Sequence, residues 1–175
     1  MSTKQFYLLM AAIVVSVCIY VFMQPTYVYW DDPVWLTEIH KWKGITETPG
    51  DENTAWIEDS FRMCGLPEHL MSDDKTSWCS AGLNKIFNAV GLQGTMDARA
   101  YSWHNYGASI RTARRGALCL FFDGTNYHVT LLEKAVPLVL NDIEYYLCIG
   151  CNQSNRIKVS PYPVKNLVKI GRAHV

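Results

Sequence analysis

The chain opens on an apolar run, passes into a helical period and ends on short strand-like stretches. Residues 6–23 hold no charged side chain and include Phe6, Leu8, Leu9, Ile13, Val14, Val17, Ile19, Val21 and Phe22. Such a run is long enough to cross a hydrocarbon core of about 30 Å, and it predicts one transmembrane helix. Beyond it, Trp35, Ile39 and Trp42 share one helical face over residues 34–42, with Gly44 as the stop. Asn53 or Thr54 is placed to cap a second helix carrying Trp56, Ile57, Phe61 and Met63 as far as Gly65. A third follows Cys79, with Leu83, Ile86, Phe87 and Val90 at helical spacing and Gly91 at its end. Residues 96–106 read as a short helix or irregular segment. From there the pattern changes: residues 117–122, 127–133, 144–149 and 156–159 are rich in aliphatic, aromatic and β-branched side chains, with Asp123-Gly124-Thr125-Asn126 as a hairpin loop. Helices first and an antiparallel sheet second predict an α+β domain.

The apolar run divides the chain. Lys4 precedes it and Asp31 and Asp32 follow, a bias that leaves the N-terminus in the cytoplasm and the rest of the chain outside. Tyr20, Tyr27, Tyr29 and Trp30 fall near the outer interface, where amphipathic rings are favoured. A cleaved signal peptide is the alternative, but residues 22–26 lack a small-x-small cleavage pattern, so an uncleaved anchor is the expectation and the domain is exported in either case. The organisation expected is an anchor over 1–23, a juxtamembrane linker over 24–33, one domain over 34–169, and a tail. The tail, residues 170–175, matches the translation of a common sequencing-library adapter and is set aside as non-native.

Composition narrows the function classes. Sixteen basic and sixteen acidic side chains cancel, so no bulk charge favours a nucleic-acid partner. Hydrophobic residues make up 49% of the 175, enough for a real core. The aromatic content of 13% fits a sugar- or peptide-binding groove or simply a core filled with large rings. The six cysteines are irregularly spaced and do not read as a disulfide framework. Cys148 and Cys151 form a C-x-x-C, but in a strand their side chains point to opposite faces and no second pair accompanies them, so no metal and no cofactor is expected.

Chemistry concentrates at Ser77-Trp78-Cys79-Ser80-Ala81. A helix start carries unpaired N–H groups and partial positive charge, which favour a thiolate, and Thr76 or Ser77 is the expected cap. A thiolate needs a base to act as an acyl-transfer nucleophile. His128 stands at the start of a predicted strand, and Asn152-Gln153 follow the next one, where a side-chain amide can orient an imidazole. The order Cys, His, Asn is papain-like. His40, His69, His104 and His174 have no such ordered partners.

The motifs Trp78-Cys79-Ser80-Ala81, Ala98-Arg99-Ala100-Tyr101-Ser102-Trp103, His128-Val129 and Gly150-Cys151-Asn152-Gln153-Ser154-Asn155, with Tyr162-Pro163 and an upstream Gly44-Ile45-Thr46-Glu47-Thr48-Pro49-Gly50, resemble those of the small peptidoglycan-cleaving cysteine hydrolases of the NlpC and CHAP superfamily, in particular its phage and prophage branch. The resemblance spans residues 34–167. It implies a papain-like fold, Cys79 as nucleophile, His128 as general base and Asn152 as the orienting residue, with Gln153 the alternative. It implies further that the substrate is peptidoglycan, cleaved at an amide bond as an amidase or endopeptidase, in a monomeric phage lysis enzyme (an endolysin) or a related cell-wall hydrolase held at the cytoplasmic membrane with its catalytic domain outside. Asp74, Trp78, Trp103 and Gln153 are the candidate substrate-binding residues. Three departures stand out: Arg115-Gly116-Ala117 lacks the family's aspartate, Thr130 replaces a glycine after His128-Val129, and Cys151 replaces a glycine beside Asn152. Cys18, in the apolar run, is a candidate partner of Cys79 in disulfide exchange, although a segment so rich in Ile, Val, Leu and Phe is held in lipid. A catalytically silent peptidoglycan-binding module is the alternative function.

Overall fold

The computed structural model describes residues 32–48, 54–67, 69 and 76–173. The expected membrane span, nearly all of the linker, Cys18, Asp73, Asp74 and His174 lie outside them. Among the described residues no helix is long and apolar enough to cross a membrane.

Three α-helices lead: α1 (Val34–Lys41), α2 (Ala55–Met63) and α3 (Cys79–Ala89). A 3-10 turn, Ala100–Asn105, follows, and then the strands β1 (Ala108–Ser109), β2 (Leu118–Phe122), β3 (Tyr127–Leu132), β4 (Leu138–Leu140), β5 (Ile143–Gly150), β6 (Lys158–Pro163) and β7 (Leu167–Arg172). They form one seven-stranded sheet in the order β1-β7-β2-β3-β5-β4, with β6 paired to β5 off that path, and every pairing is antiparallel. The α+β reading therefore holds.

Each helix buries most of the stripe its spacing predicts; Trp42, expected on the buried face of the first helix, instead lies just past the end of α1 and is exposed. Trp35, Leu36 and Ile39 of α1, Trp56, Ile57 and Phe61 of α2 and Leu83, Ile86 and Phe87 of α3 meet Leu118, Leu120, Val129, Leu131 and Ile149 in one cluster. Residues of opposite parity, Cys119, Phe121, Leu132 and Cys148, form a second cluster with Tyr146, Tyr162, Leu167 and Ile170. The central strands are thus covered on both faces, which is why Leu118-Cys119-Leu120-Phe121-Phe122 is apolar throughout and does not alternate. Full burial of each such aliphatic or aromatic side chain contributes roughly 1.5–3 kcal/mol before the entropy of ordering is set against it.

Several expectations need correction. Helix α3 begins at Cys79 itself with Trp78 in the N-cap position, so neither Thr76 nor Ser77 caps it. The fourth predicted strand, residues 156–159, lies further along, at Lys158–Pro163, because residues 152–155 form a tight loop with positive φ at Asn152, Ser154 and Asn155. Strands β1, β4 and β7 were not expected. Strand β7 extends to Arg172, so Ile170, Gly171 and Arg172, set aside as tail, pair with β2 and β1, and the domain does not stop at residue 169. At the other end, Asp32 and Pro33, assigned to the linker, belong to the domain: Asp32 pairs with Arg115 at 2.7 Å, and Gly116 leaves no room for a Cβ against the Pro33 ring.

Candidate active site

The first turn of α3 has no side-chain cap and no acidic residue, which leaves its N–H groups and positive end uncompensated at Cys79. The turn is held from below. Ser80 Oγ donates to Asp97 O (2.5 Å) and accepts from Trp103 Nε1 (2.7 Å), while Asn84 donates to Ser80 O (3.1 Å) and Asp97 O (3.1 Å) and accepts from Met96 N (2.9 Å). These buried polar groups are satisfied, so the segment carrying the thiol is fixed in place.

Cys79 is 2% exposed. Burial pushes its thiol pKa up, but the hydrogen bond and charge of the His128 imidazole, the Val129 N–H and the Ser77 hydroxyl together outweigh burial and hold the thiol below its ordinary value. Ser77 Oγ lies 3.9 Å from the sulfur. His128 enters from β3, opposite Phe121. Its ring stacks on Tyr162 (centroids 5.1 Å, planes 10° apart), and Tyr162 stacks in turn on Phe121 (4.9 Å, 25°), so packing from β6 and β2 sets the plane of the imidazole. The structure thus brings together two of the three residues of the expected set.

The third is placed elsewhere. Asn152 does not hydrogen-bond His128. The orientation of its amide that satisfies both ends has the nitrogen donating to Glu47 Oε1 (3.3 Å) and the oxygen accepting from Trp78 N (3.2 Å), and that same oxygen position lies 3.5 Å from Ser77 Oγ. The left-handed backbone at Asn152, φ 54°, turns the side chain toward α3 and away from the imidazole. His128 Nε2 is buried without a hydrogen-bond partner. So is Gln153 Oε1, whose amide is oriented by Nε2 donating to Thr130 Oγ1 (3.0 Å) while the Thr130 hydroxyl donates to Ile149 O (2.6 Å). Thr130 and His128 are two apart on β3 and share a face, so an orphaned imidazole nitrogen and an orphaned amide oxygen stand on the same side of the sheet.

Three of the residues expected to bind substrate are buried. Trp78 and Trp103 are 0% exposed and Gln153 2%, and none offers a face to a ligand. Trp103 packs edge-on to Phe87 and supports Ser80, while Trp78 packs edge-on to Trp56 and donates to Glu47 Oε1 at 2.9 Å. Asp74 lies outside the described residues. His40 pairs with Glu133 at 3.0 Å, and His104 stacks on Tyr101, both away from Cys79.

Glu47 and Tyr162 also belong to the site; residue type alone does not mark them as site residues, although both lie in motifs that carry the resemblance. Glu47 is brought in by a short antiparallel pairing: Thr46 bridges Arg156, Glu47 N donates to Asn155 O (2.9 Å), and Gly44 and Ile157 exchange backbone bonds with their neighbours across it. The pairing is between chain segments about a hundred residues apart. Cys151, the glycine replacement, is buried with its sulfur lodged against α3 at Gly82, where a Cβ would stand 2.6 Å from Sγ. Its thiol pKa is pushed well up by burial first and then by the neighbouring charge at Cys79, so Cys151 stays protonated where Cys79 ionises.

The site is therefore a low-pKa thiol at an uncapped helix start, an imidazole held by ring stacking beside it, and a polar strip of Ser77, Asn152 and Glu47 along its edge. No protein-family model matches the chain, and no curated protein matches it.

Proposed function

We propose that the protein is a cysteine hydrolase of papain-like design that cleaves an amide bond in the peptide part of peptidoglycan by acyl transfer. The observation that carries the reading is the Cys79–His128 pair: a buried thiol whose pKa is lowered by an imidazole on the facing strand, at a helix start without a competing carboxylate or side-chain cap. Cys79 thiolate attacks the amide carbonyl, the N–H groups at the start of α3 hold the oxyanion, the imidazolium of His128 delivers its proton to the leaving amine, and water activated by His128 then releases the acyl group. The sequence motifs supply the substrate class, and the apolar run of residues 6–23 supplies an export route and a membrane anchor, as expected of a cell-wall or phage lysis enzyme.

A second reading rests on one observation. Asn152 is not on His128, and an imidazole without its third partner suits a silent peptidoglycan-binding module. Clearing of purified cell wall in a gel by the full chain, lost on Cys79→Ala, supports the hydrolase. Absence of clearing by a folded wild type that still sediments with cell wall supports the binding module. Mass spectrometry of released fragments separates amidase from endopeptidase.

A further inference from the structure

Acidic side chains in this domain follow a rule that Glu47 breaks. Among the described residues, the carboxylates that are at least partly buried are Asp32, Glu38, Glu47, Glu58, Asp97 and Glu133. Asp32 and Glu133 share Arg115, Glu38 takes Lys41, Glu58 takes Arg62 and Asp97 takes Arg99. Among the described residues Glu47 has no basic partner. Its Oε1 is occupied by two neutral donors, Trp78 Nε1 and the Asn152 amide nitrogen, and these orient the carboxylate while leaving its charge uncompensated. Trp78 is fully buried, and the backbone that carries Glu47 is itself bonded to Asn155. Arg156, which bridges the neighbouring Thr46 across the short pairing, is exposed and makes no ion pair with Glu47.

The place matters as much as the charge. Glu47 and Asn152 are half-buried and Ser77 is exposed, so the strip beginning 3.9 Å from the Cys79 sulfur at Ser77 runs along the surface and ends at this carboxylate. A rigid, uncompensated carboxylate at the end of a polar strip beside a nucleophile is a seat for a cation that the protein itself does not provide. We infer that Glu47 binds a primary ammonium group of the substrate, setting which amide of an amine-bearing peptide lies over Cys79. This rests on reading the site as a peptide site, and it adds that the peptide must carry a free amine.

The test uses the full chain in detergent as Cys79→Ala, so that binding is measured without turnover. The probes are the synthetic tripeptide Ala-γ-Glu-Lys with a free ε-amine and the same tripeptide acetylated on that amine and on its N-terminus, titrated by calorimetry. The free-amine peptide is expected to bind about tenfold more tightly, a difference that Glu47→Gln removes without weakening the acetylated peptide. Gln retains an oxygen that accepts from Trp78, so the glutamine variant removes charge and keeps the scaffold. Glu47→Asp is expected to restore part of the preference. Equal affinity of the two peptides, undetectable binding of both, a preference that survives Glu47→Gln, or equal weakening of both peptides by that change each overturns the inference. Failure of the hydrolase reading shows instead as absent clearing by wild type, which leaves the binding comparison intact.

Discussion

At the scale of single residues, the thiol of Cys79 is under two opposed influences, and the balance between them is measurable. Burial disfavours the thiolate, while His128, the Val129 N–H and the Ser77 hydroxyl favour it more strongly. Alkylation of Cys79 by iodoacetamide is accordingly expected to show its midpoint below the ordinary thiol value, and His128→Ala to move the midpoint upward by removing the largest favourable contributor while burial remains. The same balance affects stability. A folded-state pKa below the unfolded one means that stabilisation is fully present above the unfolded pKa and is lost as pH falls through the folded pKa. The unfolding temperature of wild type relative to Cys79→Ala is therefore expected to fall across that acid-side window and to be unaffected above it. A midpoint unchanged by His128→Ala would sink the pairing.

The two amides after β5 have different surroundings and should respond differently. Asn152 ties Glu47 to the backbone of Trp78, whereas Gln153 carries a buried oxygen on the same face as the orphaned Nε2 of His128. Gln153→Glu replaces an amide that donates to Thr130 with a group that cannot donate when ionised, and leaving a buried polar atom unmatched costs about 1–3 kcal/mol. The expected outcome is a loss of thermal stability together with an altered pH profile of Cys79 alkylation, because the imidazole then faces a carboxylate. Asn152→Ala is expected to leave that pH profile in place and to lower thermal stability through the loosened helix start. Parallel effects of the two changes on the pH profile would contradict the separation of roles.

At the scale of elements, α3 both carries the Cys79 thiol and is tightly fitted. All residues from Cys79 to Asn84 are buried, and at Gly82 the helix lies against Cys151 so closely that a methyl group would meet Sγ at 2.6 Å and Cβ at 2.8 Å. Gly82→Ala improves helix propensity by about 1 kcal/mol, but the overlap is with a buried side chain that has nowhere to move, and overpacking of this kind costs roughly 1–3 kcal/mol. The net expectation is destabilisation by thermal or urea unfolding, reversed by adding Cys151→Gly, which removes the obstructing side chain. If Gly82→Ala alone proved stabilising, the close approach would be wrong. The elements that escaped sequence reading share a cause: β1 is two residues long, β4 is an exposed edge whose Leu138, Val139 and Leu140 do not alternate with polar residues, and β7 gains its identity only by pairing with β2. Strand character at such positions comes from partners, and a pattern of side chains does not display partners.

At the scale of the whole domain, Arg115 joins the beginning of the described chain to the sheet. Its guanidinium contacts both Asp32 oxygens (2.7 and 3.2 Å), the Glu133 carboxylate (2.6 Å) and the Glu133 carbonyl (2.5 Å). Glu133 in turn holds His40 of α1. Arg115→Met keeps most of the stem and deletes the charge; removing the cation that Asp32 and Glu133 share is expected to cost about 1 kcal/mol, less at high salt because the cluster is partly exposed. The measurement is the unfolding midpoint at low and at 1 M salt. An unchanged midpoint at both would mean that the network contributes nothing net.

By itself the sequence determined the helices, the α+β class, Cys79 as the residue at a helix start and His128 as the residue at a strand start, because each of these depends on near neighbours along the chain: apolar spacing, stop residues and motif order. What only the tertiary structure decided is which side chains meet. Asn152 turns to Trp78 and Glu47 because its backbone is left-handed in a loop, Trp78 and Trp103 are core because layers close over them, and Glu47 reaches the site because residues 44–47 pair with residues 155–157. Contacts between segments so far apart are set by how the sheet and the helices close on one another, and no local pattern records that closure.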